Sequence, residues 1–546
     1  MSPYWGLRGS SLRATIAVTA GLAFVAFGYG QSDIGGLLTV STFRNRFQQI
    51  DTAGNPSDGH IATIQGITVA TWNIGCFVSA IMTIFLGQFL GRKQTIMLGL
   101  VVMAIGKVVQ ASSYSFGQLI AGRFIAGFGN GFNTCAVPAW QAECTKAHRR
   151  GTMLMVSSGA CIAAGVALAY WVDFAFAWVA PSSASWRVAT AFQIVPALLA
   201  LCLLIPLPES PRWLIMTGRE QGALDVLSAL SDMDPEDEHI RQDFLQIKDA
   251  ILDMARGGGF STAFSGGEYR YLHRTILAFC LQIMQQFTGV NLFVQYLALM
   301  FVTRANYTPW LSRLFAGCGS TVLFLASFIT VIGIDRFWGR RSLSMFGSAG
   351  MCVCLIVLAV MDYIDTSATH IVMVVFIFIY TAFFAVGWQG MSWLWSVELL
   401  PLAIRGPGTA ISTAGNWLAN FVVVLITPVA FHNIGYRTYI IYAVFNAVFI
   451  PAIYFFYPET GYRSLEEVDV LFSHASNAKF PWTDVVRIAR KEPLWYGKDG
   501  ETPFMYDQSE WHQHLAHHQQ MTATTSEDGS GSGSREKYGG STGQSP

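Results

Sequence analysis

Charge is what this sequence has least of. Only 12% of its 546 residues are Asp, Glu, Lys or Arg, against 52% hydrophobic, which excludes an ordinary soluble domain. The 34 basic and 34 acidic residues cancel, so nothing points to nucleic acid or an acidic partner. A phosphate-binding loop is missing too. Gly99 to Lys107 only superficially resembles one, with six residues between its glycines and Val108 where Ser or Thr belongs. The nine cysteines, Cys76, Cys135, Cys144, Cys161, Cys202, Cys280, Cys318, Cys352 and Cys354, lie nearly all within apolar runs. There they serve as small apolar fillers, and neither a disulfide framework nor a metal site is expected. Arg8 and Arg13 precede the first apolar run, but no small-residue cleavage site ends it, so it is expected to stay as a first span. No nucleophile, metal set or acid pair stands at depth, so neither an enzyme nor a cofactor is expected.

Long apolar runs are abundant. They fall at about 14–38, 61–86, 95–115, 117–141, 151–179 and 186–206, then at about 273–302, 311–334, 343–362, 369–398, 406–431 and 436–457. Each can cross roughly 30 Å at about 1.5 Å per residue. The pattern predicts an all-α membrane protein of twelve transmembrane helices in two six-helix bundles. Its units are an N-terminal tail 1–13, a bundle 14–206, an inter-bundle loop 207–272, a bundle 273–457 and a largely disordered tail 458–546. Arg92/Lys93, Lys146/Arg149/Arg150, Arg212/Arg219, Arg340/Arg341 and Arg405 lie on the same side as Arg8 and Arg13. The positive-inside rule then places the tails, both termini and the inter-bundle loop in the cytoplasm, against a weaker opposing set that includes Arg304 and Arg313. Asn306-Tyr307-Thr308 falls outside as a glycosylation acceptor, whereas Asn55-Pro56-Ser57 is blocked by its proline. His512, His514, His517 and His518 cluster in a Gly/Ser-rich tail without metal-ligand spacing and are expected to be solvated.

Polar groups inside these runs carry more information. Phe279 to Leu299 has no charge but holds Gln285, Gln286 and Asn291. A carboxamide at lipid depth needs a partner. It offers both donor and acceptor, which suits a neutral polyol and equally suits bonding between helices. Two elements repeat between the halves. Gly91-Arg92-Lys93 after span two matches Gly339-Arg340-Arg341 after span eight, and Glu143 stands seven residues before Arg150 just as Glu398 stands seven before Arg405. Such matched charges can cross-pair between the halves when that end is closed.

Gln285-Gln286-x-x-Gly289-x-Asn291 resembles the seventh-span signature of the sugar porter family of the major facilitator superfamily. Pro208-Glu209-Ser210-Pro211-Arg212, Pro458-Glu459-Thr460, Gly122-Arg123-Phe124, Pro138 to Glu143, Trp393 and Asn416-Trp417 fit its other markers, and the resemblance covers nearly all of residues 20–470. It implies a sugar transporter working by alternating access as a monomer in the lipid bilayer. Gln285, Gln286, Asn291 and Asn416 would hold hydroxyls, and Phe27, Tyr296, Trp393 and Trp417 would offer aromatic faces. Arg92, Glu143, Arg150, Glu209, Arg212, Arg340, Glu398, Arg405 and Glu459 would form the cytoplasmic gate. Tyr170-Trp171-Val172-Asp173 is similar to the end of span five in fungal members, which implies a plasma membrane location.

Departures from the pattern are few. The first span reads Phe27-Gly28-Tyr29-Gly30 where proton-coupled members carry Asp after Tyr. Asp33, one helical turn on, is expected to replace it, pairing with Arg123 and taking the proton. On the fifth span, counting from Gly151, Ser157 and Ser158 replace two glutamines, which would widen the site enough for a disaccharide such as sucrose as well as a hexose. Gln88 and Asp335 depart from the family's loop motifs. Lys107, inside the third span, is expected to snorkel or find a carboxylate. Facilitated diffusion, polyol or quinate transport, and sugar sensing by the same fold stay open as alternatives.

Overall fold

The computed structural model describes residues 3–494 apart from 55–57, 146–149, 239, 242–243, 246, 249–259, 268, 335–337, 402–403 and 464. Asn55, Asp335, the tail histidines and the side chains of Gln88 and Arg150 lie outside the described residues. The first bundle comprises α1 (Gly9–Leu37), α2 (Gly59–Leu90), α3 (Arg92–Ala111), α4 (Phe116–Glu143), α5 and α6 (Ala184–Ala191 with Ile194–Leu204). Here α5 joins Arg150–Leu154, a π segment Met155–Cys161 and Ile162–Phe176. The second bundle begins with α7, broken into Tyr271–Phe287, Val290–Val294 and Leu297–Thr303. It continues with α8 (Pro309–Gly333), α9 (Arg340–Ile364), α10 (Ser367–Phe384, a π segment Ala385–Gln389 and Met391–Leu399), α11 (Arg405–Ile434) and α12 (Arg437–Phe456). Below, the "terminal end" is the end of the molecule at which α1 starts.

Ten helices among the described residues are long and apolar enough to cross a membrane. The other two spans, α4 and α7, are the exceptions for a physical reason. α4 buries Arg123, Asn130 and Asn133, and α7 is interrupted. Its first break is at Gly289, whose φ of 93° is a left-handed value, with the ring of Tyr442 against the position a Cβ would take. Only glycine meets both conditions. The break separates Gln285 and Gln286 from Asn291 and turns all three inward.

Both bundles close their terminal end with one device. The Glu209 carboxylate accepts from the backbone N–H groups of Arg92 (3.1 Å) and Lys93 (3.0 Å) at the start of α3, and from that of its neighbour Ser210 (2.8 Å). Glu459 accepts from those of Arg340 (2.9 Å), Arg341 (3.0 Å) and Gly461 (2.9 Å) at the start of α9. A carboxylate there satisfies orphan donors and meets the positive end of the helix dipole. Glu459→Ala is therefore expected to destabilise the protein by about 1–2 kcal/mol, read as an earlier thermal unfolding transition in detergent.

Residues 465–491, expected within a largely disordered tail, instead contain two helices, Leu465–Ser476 and Pro481–Lys491. Val468, Leu471 and Phe472 on the first, and Val485, Val486 and Ala489 on the second, recur at helical spacing and are buried. Asp469 pairs with Arg274 of α7 at 2.6 Å.

Candidate functional site

A small cavity of about 30 Å³ lies between the bundles, lined on its polar side by Gln31, Gln285, Gln286, Gln389, Asn416 and Asn420. Phe27, Ile162, Val166 and Trp393 are among its apolar walls. The amides are joined to one another. Asn416 Nδ2 donates to Gln285 Oε1 (2.9 Å) and Gln282 Oε1 (2.7 Å), and Gln286 Nε2 to Gln285 Oε1 (3.4 Å). Asn291 Nδ2 donates to Gln286 Oε1 (2.7 Å), while Gln31 Nε2 from α1 donates to Asn291 Oδ1 (3.2 Å). Gln295 Nε2 extends the chain to Asn420 Oδ1 (3.3 Å). The π segment of α10 adds acceptors, because its shifted ladder frees carbonyls: Gln285 Nε2 donates to Trp388 O (3.0 Å) and Gln389 O (3.2 Å). The amides are thus satisfied by exchangeable partners and held in place, a pre-formed set of donors and acceptors.

The cavity is walled at both ends. Towards the terminal end, Trp417 of α11 donates to Thr134 of α4 (3.3 Å) and packs edge-on against Phe27 and Trp72, each at 5.4 Å between ring centroids. Towards the far end, Tyr170 Oη of α5 donates to Val294 O of α7 (2.9 Å), and Arg313 of α8 donates to Thr39 O beyond α1 (3.1 Å).

Gln285, Gln286, Asn416, Trp393 and Phe27 all meet at this cavity. Asn291 stands one hydrogen bond behind it, and Tyr296 is committed to Val424 O (3.0 Å). Trp417 is fully buried in the contact below the cavity. Ser157 and Ser158 do not line it. Ser157 Oγ donates to Gln141 Oε1 (2.6 Å) and Ser158 Oγ to Leu154 O (2.6 Å), while Ile162 and Val166 present α5 to the cavity. Both serines lie in the π segment Met155–Cys161, where each hydroxyl is held by a partner within the first bundle. Gln31, Gln389 and Asn420 escaped the sequence reading. Their signal was available, since each is an uncharged polar side chain inside an apolar run.

A second polar centre lies farther from the terminal end. Asp33, Lys107 and Arg123 are all wholly buried. Lys107 Nζ is ion-paired with Asp33 Oδ2, and Arg123 approaches Asp33 Oδ1 at 3.4 Å. Arg123 is also held by Thr68 O and Val69 O, each at 3.0 Å. The expected Asp33–Arg123 pairing is present, and Lys107 has found a carboxylate instead of snorkelling. Asp173 of α5 is buried beside this group, and its two oxygens have no hydrogen-bond partner among the described residues.

Among the described residues, Glu143 and Glu398 at the terminal end each pair with an arginine of their own bundle. Arg92 bonds Glu143 (3.1 Å) and Arg340 bonds Glu398 (2.7 Å). Ser210 Oγ donates to Glu143 and Thr460 Oγ1 to Glu398 (2.7 Å). Each arginine starts a helix beside the end of the glutamate's own helix, so the short pairing is intramolecular to one bundle. Arg405 donates to Leu400 O (3.3 Å), and Arg212 lies in the first turn of the short helix Pro211–Met216, outside both networks among the described residues.

Residues 14–472 match the family model described as "Sugar (and other) transporter". The chain is 34% identical over 485 residues to the sugar transporter STL1 of Saccharomyces cerevisiae, covering 88% of this chain and 84% of that one. It is also 34% identical to the major facilitator superfamily transporter mfsA of Aspergillus fumigatus, covering 86% and 88%. Among solved structures it resembles the proton:xylose symporter XylE of E. coli bound to 6-bromo-6-deoxy-D-glucose, with a TM-score of 0.73, 26% identity and coverage of 85% and 99%. With twelve spans in two bundles around one amide-lined cavity, the chain belongs to the sugar transporter family of the major facilitator superfamily.

Proposed function

We propose that this protein carries a single-ring sugar, a hexose or one of similar size, into the cell by proton-coupled alternating access. It does so as a monomer in the plasma membrane, with both termini cytoplasmic, the orientation that the arginine bias favours. The observation that supports this most is the amide chain running from Gln31 of the first bundle to Asn416 of the second. A sugar hydroxyl gives and takes one hydrogen bond each, so it can replace any amide–amide bond in the chain without leaving a buried group unsatisfied. Phe27 and Trp393 face the C–H surfaces of the ring. Ile162 and Val166 line the cavity on the α5 side and Ser157 and Ser158 do not, which favours a single ring over a disaccharide. An acid such as quinate would want a cation at the cavity, but Arg123 and Lys107 are turned to Asp33. Proton coupling through Asp33 and Arg123 draws support from the likeness to a proton:xylose symporter.

Uptake of labelled glucose and of labelled sucrose, at two external pH values in transport-null cells, tests substrate and coupling together. Glucose uptake, inhibited poorly by sucrose and stronger at the lower pH, is expected. Preference for sucrose would restore the disaccharide reading, and binding without uptake would indicate a sensor. Gln285→Ala or Gln286→Ala, each removing about one neutral hydrogen bond worth roughly 1 kcal/mol or more, is expected to raise KM about fivefold to tenfold at unchanged surface expression. Unchanged KM in both would place the site elsewhere.

A further inference from the structure

Asp173, like Arg313 beside it, stands in the far-end cluster outside the ion pairs that Asp33 makes. Among the described residues both of its carboxylate oxygens are buried without a hydrogen-bond partner. One of them rests on Gly36, where a Cβ would come within 2.2 Å of it. Gly36 lies one helical turn beyond Asp33 on the same face of α1, so Asp173 stands between Asp33 and the far end. Its charged neighbours are Asp33 from α1, Lys107 from α3 and Arg313 from α8. Arg123 of α4 lies on the other side of Asp33. Tyr29 of α1 and Tyr170 of α5 are also near, but their hydroxyls donate to Ala189 O (2.6 Å) and Val294 O (2.9 Å). Arg187 of α6 is spent on Ala111 O (2.7 Å) and Ser113 O (2.9 Å).

The two carboxylates are therefore in opposite situations. Asp33 has a cation on each oxygen, and protonating it would leave two buried cations without an anion. Asp173 has none, and an ionised carboxylate without donors is the costly form at this depth.

We propose that Asp173 is the carboxylate at which the transported proton is loaded from the far side, with Asp33 kept ionised as the fixed counter-ion of Lys107 and Arg123. This rests on the coupling reading above, with Asp173 in place of Asp33 as the group that takes the proton. The step is a simple transfer: hydronium gives its proton to the Asp173 carboxylate and leaves as water. Access comes with opening of the far end, because the ties that roof the cluster, Tyr170 to Val294 and Arg313 to Thr39, join one bundle to the other. Separating the bundles breaks both and admits water to Asp173. Closing them over an ionised Asp173 would strand the charge, so closure favours the protonated form. Proton and sugar thereby move together.

The full-length protein in proteoliposomes provides the test, with sugar-evoked proton uptake and the pH dependence of uptake at subsaturating sugar as readouts. Wild type is expected to lose up to about tenfold in uptake per pH unit above the midpoint, as for one titrating site. In Asp173→Asn the sugar-evoked proton uptake is expected to vanish and the pH dependence to flatten to less than about twofold over the same range. Asp173→Glu is expected to restore proton uptake with a displaced midpoint. Should Asp173→Asn not reach the membrane, Asp173→Glu decides alone, and an unmoved midpoint overturns the proposal. Asp173→Asn with the wild-type proton-to-sugar ratio overturns it too while leaving coupling intact. Wild type without any sugar-evoked proton uptake overturns the coupling reading itself, and the proposal with it.

Discussion

Asp33→Ala is expected to destabilise the protein by about 3–5 kcal/mol, the cost of removing one partner from a buried ion pair. Few substitutions elsewhere in the chain leave so much charge unmatched. Lys107 and Arg123 are both wholly buried, and both direct their charge to Asp33. Arg123 keeps two backbone carbonyls, Thr68 O and Val69 O, but these dipoles are no substitute for an anion, and Lys107 loses its ion partner outright. The expected readout is a lower thermal unfolding temperature in detergent and reduced surface expression. Removing one cation as well should restore most of the loss, so Asp33→Asn with Lys107→Met is expected to be more stable than Asp33→Asn alone. Equal stability of Asp33→Ala and wild type would mean that the three side chains are not buried together. Asp33→Asn, close in shape, separates function from folding: with no anion to hold Lys107 and Arg123, sugar-evoked proton uptake is expected to be lost. If it persists, Asp33 has no part in coupling.

Much of this architecture could be read from residue order alone, because it depends on local chemistry. Apolar runs of membrane-crossing length mark the spans, and Gly91-Arg92-Lys93 and Gly339-Arg340-Arg341 repeat at matching positions, so the two-bundle plan is visible. Gln285 and Gln286 were visible for a similar reason: amides in an uncharged run stand out. What escaped was set by contacts between distant parts of the chain. Lys107 meets Asp33 across 74 positions, and no spacing rule links them. The isolation of Asp173 is a property of everything around it. Counting along the helix places Ser157 and Ser158 at the cavity, but their hydroxyls are bound to Gln141 and Leu154 within the first bundle. The repeated spacing of Glu143 and Glu398 to Arg150 and Arg405 gives no hint that Arg92 and Arg340, which begin helices within the same bundles, reach those glutamates.

Gly35→Leu is expected to cut net sugar uptake about tenfold or more while leaving sugar binding at the far side in place. Gly35 lies where α1 of the first bundle meets α7 of the second. A Cβ there would come within 2.5 Å of Tyr170 Oη and 2.6 Å of Gln295 O. The tyrosine hydroxyl could swing aside, though only by giving up its bond to Val294 O (2.9 Å). The carbonyl of Gln295 cannot, since it belongs to backbone between two short helices of α7. A leucine therefore keeps the two bundles apart at this end. Overpacking of this kind costs about 1–3 kcal/mol, and the cost falls only on conformations in which the far end is shut. Each 1.4 kcal/mol is about a tenfold change in population, so the closed state becomes rare and with it the passage to the opposite side. Gln285, Gln286 and Asn416 are untouched, and equilibrium binding of sugar to the solubilised protein should survive. Gly117→Leu at the start of α4, where a Cβ would meet nothing within 4 Å, controls for the added apolar bulk and should transport normally. Wild-type uptake in Gly35→Leu would show that α1 and α7 need not touch for the carrier to turn over, and that the far-end closure seen here lies off the transport cycle.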